Sequence, residues 1–157
     1  MKSHRKNKQT DKKFLKLHND FRSKLSLLGE KAEEFYNIYD QEHSCSDCAS
    51  CCKTLGPRVN QNDIRKLAKF FGLRDIDFID KYLTRDDEMD FVFKNIPCPF
   101  LQEDNLCSVY EARPKACREY PHVSYGDFYK SLSLHKKNYP YCPAVRFVID
   151  KLYSEIQ

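Results

Sequence analysis

Four of the chain's eight cysteines lie within one short segment, residues 45–52, which reads CSDCASCC. The sequence contains no apolar run long enough for a secretion signal or a membrane span, so it predicts a cytoplasmic protein with no membrane partner. Disulfides do not persist in a reducing compartment. Eight cysteines, with four crowded into one loop, therefore favour metal binding over disulfide bonding.

The crowded segment has the spacing of a metal site. Cys45, Cys48 and Cys51 follow one another at Cys-x-x-Cys spacing, and Cys52 comes directly after them. A tight Cys-x-x-Cys turn brings two thiolates to one metal ion at the ~2.3 Å of a zinc–sulfur bond. Three thiolates at this spacing with a remote fourth also match the way a four-iron cluster is held. Zinc and an iron–sulfur cluster both remain open.

The other four cysteines are spread along the chain, at Cys98, Cys107, Cys117 and Cys142. They do not form the second Cys-x-x-Cys knuckle of a zinc ribbon, although zinc itself is not disfavoured. A thioredoxin-like redox site is also disfavoured, because no βαβ pattern surrounds Cys45. Both Cys98 and Cys142 precede a proline, as the last cysteine of a ferredoxin motif does.

Helical periodicity dominates the rest of the sequence. Apolar residues at steps of three and four from Phe14 to Ile38 predict a long amphipathic helix, interrupted at most near Gly29. Further helices are predicted to begin after Asn60 or Asn62, near Asp75, and at Pro143. Segment 90–95 alternates like a short strand, and a turn at residues 104–105 suggests a small hairpin. We expect a mainly α fold of four to five helices, with cysteine-rich loops and one short β-hairpin.

Positive charge is concentrated at one end of the chain. Residues 1–13 carry six Lys or Arg and one Asp, whereas the whole chain has a formal net charge of +4. We predict a disordered basic tail at residues 1–13 and a single cysteine-cluster domain at residues 14–157. Nucleic-acid binding by this tail is not expected.

Three further motifs lie between residues 97 and 121, namely C-P-F-L, C-x-V-Y-E-x-R-P and C-R-x-Y-P. Together with CxxCxxCC and a helix that opens at Asp63, they make residues 45–121 resemble the YkgJ-like cysteine-cluster family, described as zinc- or iron-chelating. The resemblance implies metal chelation by the seven matching cysteines, which are Cys45, Cys48, Cys51, Cys52, Cys98, Cys107 and Cys117. It implies no reaction, and it leaves zinc against iron undecided.

The adjacent pair suggests how these ligands divide. Consecutive side chains diverge by about 100° on a helix and about 180° on a strand, so Cys51 and Cys52 are predicted to serve different sites. One site would contain Cys45, Cys48 and Cys51, with Cys142 as an eighth ligand that completes it. The other would contain Cys52, Cys98, Cys107 and Cys117.

Cationic side chains flank these cysteines, and a thiolate site carries negative charge that needs donors and cations nearby. Arg113 and Arg118 are candidates to donate to sulfur or to hold a carboxylate, whereas Lys53 and Lys115 are as readily explained as exposed charges. His43 and His122 lie close to the cysteines in sequence, but we expect them to be ordinary surface histidines.

Metal chelation is the favoured function, with zinc, iron or an iron–sulfur cluster as cofactor. The alternative is an interaction module in which structural zinc pins the loops, and the charged helical surface or the basic tail recognises a protein or nucleic-acid partner. The sequence contains no Ser/His/Asp arrangement, Gly-rich phosphate loop or recognisable carboxylate pair, so we do not predict an enzyme. A closed four-thiolate site is structural or transfers electrons.

Overall fold

The computed structural model describes residues 2–123 and 128–156, with side chains for residues 8–44, 46–123 and 128–156. The chain divides into two compact units. The terminal unit joins Met1–His43 and Pro121–Gln157, and the cysteine unit is the continuous segment Ser44–Tyr120. The single domain predicted for residues 14–157 stays a prediction.

Helices dominate both units, and the mainly α prediction with a short hairpin is confirmed. The described residues form α1 (Lys2–Phe21), α2 (Leu25–Glu42), α3 (Cys45–Cys48), α4 (Ser50–Thr54), α5 (Gln61–Phe70), α6 (Asp75–Tyr82), β1 (Leu83–Arg85), β2 (Phe91–Phe93), a 3-10 turn (Tyr110–Ala112), α7 (Lys115–Glu119), α8 (Leu132–Asn138) and α9 (Pro143–Ser154). Helices outnumber the prediction because several are single turns that carry cysteines. No helix within the described residues is both long and apolar enough to cross a bilayer.

The long helix predicted from Phe14 is two helices, and the break lies at residues 22–24 rather than near Gly29. Lys24 leaves the helical region at φ −134° and ψ 50°, while its N–H still donates to the Phe21 carbonyl at 2.9 Å. Residues 22–27 are exposed, so no burial holds a helical backbone there. Gly29 lies inside α2, where helical periodicity resumes.

Residues 2–13, which we predicted to be a disordered tail, are helical in the structure as part of α1. Side-chain contacts within the terminal unit explain this order. Lys13 forms an ion pair with Asp150 and donates a 3.1 Å hydrogen bond to the Tyr139 hydroxyl. Asp11 forms a second ion pair, at 2.7 Å, with Lys136.

The terminal unit is held together by apolar stripes on its four longer helices. Helix α2 packs on α9, and α1 contacts α2, α8 and α9. Pro143 begins α9 at the first helical position, as predicted. The buried side chains of this unit include Leu17, Leu28, Ala32, Val145, Val148, Ile149 and Leu152.

The cysteine unit is built on α5, α6 and the β1–β2 hairpin. Asn60 caps α5 as predicted, and Gly72 follows the helix at φ +64°, a conformation that glycine adopts without steric cost. The antiparallel strands pair Leu83 with Phe93. Their inner faces join an apolar core whose members include Val59, Ile64, Leu67, Phe78, Phe100 and Val109.

The predicted strand at residues 90–95 is β2, but its partner is β1, which precedes it in the chain. The turn predicted at residues 104–105 is also present, since Asn105 adopts φ +64° and the Gln102 N–H donates to the Leu106 carbonyl. Beyond this turn the pairing is a single bridge between Leu101 and Cys107. That bridge brings one cysteine-bearing segment back toward another.

Candidate metal centre

Two single-turn helices carry the CSDCASCC segment. Between α3 and α4, Ala49 adopts a left-handed conformation (φ 45°, ψ 22°), which turns the chain sharply. Cys48, Cys51 and Cys52 are partly buried. The side chain of Cys45 lies outside the part of the chain that the structure describes, so its predicted role as a ligand stays a prediction.

The first two cysteines of the spread group lie in loops against the apolar core. The Cys98 N–H donates a 2.8 Å hydrogen bond to the carbonyl of Cys52, so the main chain itself joins the two cysteine segments. Cys107 lies opposite Leu101 in the isolated bridge. Cys98 and Cys107 both pack against the core of the cysteine unit. Packing against this core fixes the positions of Cys98 and Cys107.

Cys117 lies on α7, a helix of one turn and a half. Its N–H donates to the Pro114 carbonyl at 3.0 Å. The start of the helix is fixed from elsewhere in the unit, because the Lys115 N–H donates to the buried carboxylate of Asp63 at 2.9 Å. The third cysteine of the spread group is therefore placed by a tertiary contact rather than by local sequence.

The structure brings Cys52, Cys98, Cys107 and Cys117 together. Burial raises the pKa of the Cys98 thiol to about 11, that of Cys117 to about 12, and that of Cys107 above its usual value. The four thiols also act on one another electrostatically in every pairwise combination. A thiolate at one position therefore disfavours a thiolate at the next, and a bound cation would relieve that repulsion.

Backbone N–H groups are directed at two of these sulfurs. The amides of Phe100 and Leu101 donate to the Cys98 sulfur, and the amide of Val109 donates to the Cys107 sulfur. Both interactions lower the thiol pKa and therefore favour the thiolate. Hydrogen bonds of this kind to the sulfurs are among the features that tune metal–thiolate sites.

Cys51 and Cys52 are closer than their predicted divergence suggests, with sulfurs 3.9 Å apart. Two thiolates on one tetrahedral zinc ion lie about 3.8 Å apart, a value that follows from the ~2.3 Å bond. Side-chain divergence therefore does not separate this pair. Cys52 interacts electrostatically with the thiols of Cys98, Cys107 and Cys117.

The charge of Cys52 is favoured by its neighbours. A hydrogen bond with Cys51 lowers the pKa of Cys52 to about 7, and the positive charges of Arg113 and Lys53 act in the same direction. Arg113 also lowers the pKa of Cys107 and Cys117. Its guanidinium lies 3.6 Å from the centre of the Tyr110 ring, and its Nε donates to the Tyr110 carbonyl at 3.0 Å. Arg113 is thus a fixed cation shared by three of the four thiols.

The other predicted cationic neighbours have different contacts. Arg118 donates a hydrogen bond to the carbonyl of Arg113. Its guanidinium therefore supports the main chain of Arg113 and, within the described residues, does not donate to a cysteine sulfur. Lys115 forms a 3.8 Å ion pair with Glu119 along α7. Lys53 donates to the Cys48 carbonyl at 3.2 Å.

The donor set fits a thiophilic metal, but the side chains are not arranged as a closed site. Among the described residues, no three Cys, His, Asp or Glu side chains are placed to hold a metal ion. Four sulfurs with nearby N–H donors and one fixed cation nevertheless supply the chemistry that zinc or iron requires.

Cys142 and the two histidines belong to the terminal unit. Cys142 is buried and precedes α9 as its N-cap residue. His43 stacks on Tyr39 with ring centres 4.3 Å apart, and His122 interacts electrostatically with His135. The assignment of Cys142 as the eighth ligand stays a prediction from the sequence.

Sequence reasoning missed the polar groups that position the thiols. Asp63 was noted only as the start of a helix, although its spacing from Asn60 is that of a capping box and predicts a fixed carboxylate. The N–H donors of Phe100, Leu101 and Val109 could not be predicted from the types of these residues, because every non-proline residue carries the same backbone amide.

Comparison with known proteins agrees with these observations. The family model CxxCxxCC, described as "Putative zinc- or iron-chelating domain", matches residues 44–143. This range extends past the motifs that carry the resemblance and includes Cys142 with all the other cysteines. No curated protein and no solved structure matched the chain.

Proposed function

Because the chain belongs to the CxxCxxCC family of zinc- or iron-chelating domains, we propose that it binds one of these metals through Cys52, Cys98, Cys107 and Cys117. One observation carries this proposal: each of these four thiols interacts electrostatically with the other three. Four thiolates and no histidine suit a tetrahedral zinc site and an iron–sulfur cluster equally.

The residues of this site divide into ligands and supports. The four sulfurs would hold the metal, which would supply either structural cross-linking or electron transfer. The N–H groups of Phe100, Leu101 and Val109 support thiolate charge on Cys98 and Cys107. Arg113 offsets part of the negative charge that four thiolates bring to a half-buried position.

Cys45, Cys48 and Cys51 form the second part of the proposal. Their regular spacing in the sequence, divided between α3 and α4, offers three further thiolates. A second metal ion at this segment would give two metals per chain. A single metal would make these residues auxiliary thiols.

Metal analysis on protein purified without oxygen tests the proposal. We expect one or two equivalents of zinc or iron per chain, with release of metal after thiol alkylation. Broad absorbance near ~400 nm that bleaches on reduction would identify an iron–sulfur cluster. A colourless protein with stoichiometric zinc would identify a zinc site.

A matched pair of variants localises the metal. Cys117→Ser should remove about one equivalent, whereas Ser108→Ala, which lies between two of the proposed ligands, should retain full occupancy. Purified protein without metal, or full occupancy in Cys117→Ser, would contradict the proposed site.

A further inference from the structure

Asp63 is a buried carboxylate. Its two oxygens accept hydrogen bonds from backbone N–H groups in two segments that lie far apart from each other in the sequence. It is 3% exposed. One oxygen accepts from the Asn60 N–H at 3.1 Å, which closes the capping box of α5. The other accepts from the Lys115 N–H at 2.9 Å, 52 positions further along. The carboxylate thus joins the start of α5 to the start of α7.

Helix α7 depends on such a contact. It contains five residues, Lys115–Glu119, and a helix this short has too few internal hydrogen bonds to be stable alone. The N–H groups of its first turn have no partner inside the helix, and a carboxylate at this end also interacts favourably with the helix dipole. Asp63 supplies both the acceptor and the charge.

Cys117 lies two residues after the amide that Asp63 holds. Of the four proposed ligands, Cys117 is the most deeply buried. Cys117 lies on a helix of only five residues, so the helix by itself does not fix the position of the thiol. Its location relative to Cys98 and Cys107 follows from where α7 begins.

We propose that Asp63 is a positioning residue for the Cys117 thiolate, so that its loss weakens metal binding beyond any effect on the stability of α5. This inference rests on the proposed four-thiolate site. A purely structural alternative is that Asp63 serves α5 alone as half of its capping box.

Asn60 provides a matched control for that alternative. Its side chain accepts hydrogen bonds from the N–H groups of Asn62 and Asp63, and none from α7. Asn60→Ala therefore removes the other half of the same cap and leaves the bond between Asp63 and Lys115. Asp63→Ala removes both bonds of the carboxylate, and Asp63→Asn, with one acceptor oxygen, can keep only one of them.

Zinc affinity is measured by competition with a colorimetric chelator, in the full-length chain. We expect Asp63→Ala to weaken zinc binding at least tenfold, Asp63→Asn to lie between it and the wild type, and Asn60→Ala to weaken binding less than about threefold. In a Cys117→Ser background, Asp63→Ala should cause no further loss. Equal weakening by Asp63→Ala and Asn60→Ala, or additivity with Cys117→Ser, would overturn the inference.

A second measurement keeps the inference separate from the proposed function. In reduced, metal-free protein, alkylation of Cys117 by iodoacetamide is followed by peptide mass spectrometry. We expect about tenfold faster alkylation in Asp63→Ala, which loses both bonds of the carboxylate, and an unchanged rate in Asn60→Ala. If the wild type binds no metal, the proposed function fails, and this comparison still decides whether Asp63 positions Cys117. Equal alkylation rates in all three proteins would reject the positioning role.

Discussion

The N–H of Cys98 donates a 2.8 Å hydrogen bond to the carbonyl of Cys52. The two residues belong to different cysteine groups in the sequence. The main-chain bond joins the CSDCASCC segment to the loop that follows β2. The main chain therefore joins the two groups beside the apolar core of the cysteine unit.

Replacement of each member of the adjacent pair tests the proposed division of ligands. Because Cys52 interacts with the other three thiols of the group, Cys52→Ser should release the metal held there. Cys51→Ser should leave that metal in place and deplete a second site, if two are present. Metal stoichiometry of the purified variants measures this difference. Loss of the same equivalent in both variants would show that the pair shares one metal.

Metal affinity should increase steeply with pH. Burial raises the pKa of Cys98 to about 11 and of Cys117 to about 12, and it also raises the pKa of Cys107, so metal binding at neutral pH must displace protons from these thiols. The pKa of Cys52 is lowered to about 7, so near pH 8 it releases few protons. The logarithm of the zinc association constant should therefore rise by roughly three per pH unit near pH 8.

The same measurement has an internal control. In Cys107→Ser the slope near pH 8 should fall to roughly two, because one displaced proton is missing. A slope below one in the wild type would mean that the thiols are already ionised, which contradicts the direction of these pKa shifts.

Metal removal should destabilise the cysteine unit. A ligand present at 100 times its dissociation constant stabilises the folded state by about 2.7 kcal/mol. Limited proteolysis of loaded and chelated protein should therefore differ mainly in cleavage within residues 44–120. Identical cleavage patterns in the two states would show that the thiols do not hold a structural metal.

Acid should weaken the terminal unit through His135. This side chain is fully buried on α8, stacks on Phe128 with ring centres 4.3 Å apart, and has no hydrogen-bond partner among the described residues. Burial lowers the pKa of His135 from 6.5 to about 4, and the charge of His122 acts in the same direction. The unfolded chain therefore binds the proton more tightly than the folded one.

The sign of the pH effect follows from that difference. The stability contributed by neutral His135 is complete above pH 6.5 and is lost as the pH falls toward 4, by roughly 3 kcal/mol in all. Thermal unfolding of His135→Leu should show a smaller loss over this interval than the wild type. His43→Gln, at an exposed position, is the control and should reproduce the wild-type profile. Parallel profiles for the wild type and His135→Leu would contradict the prediction.

Lys13 should contribute more to stability than its position near the chain end suggests. It is 15% exposed and interacts with both Asp150 and Tyr139. Lys13→Met should cost about 1–2 kcal/mol in urea unfolding, typical of a hydrogen-bonded charge. Lys31 is more exposed and pairs with Glu155, so Lys31→Met should cost less than Lys13→Met. Equal losses would show that burial of Lys13 adds nothing.

The sequence predicted those features that depend on local chemistry. Asn60 and Pro143 mark helix starts because a cap and a fixed φ are properties of the residue itself. The prediction of a break near Gly29 was wrong, because the packing of α2 keeps this glycine helical, and the chain breaks between α1 and α2 instead. The grouping of thiols was predicted from side-chain divergence, yet the Cys51 and Cys52 sulfurs are 3.9 Å apart. Contacts such as that between Asp63 and Lys115 depend on folding of the whole unit and could not be read from spacing.

The order of segments along the chain has a consequence for biosynthesis. The cysteine unit is one continuous stretch, whereas the terminal unit needs α9 at Pro143–Ser154 before its core is complete. Domains fold as units while the ribosome is still adding residues. All residues of the cysteine unit are therefore synthesised before the last helix that the terminal unit needs.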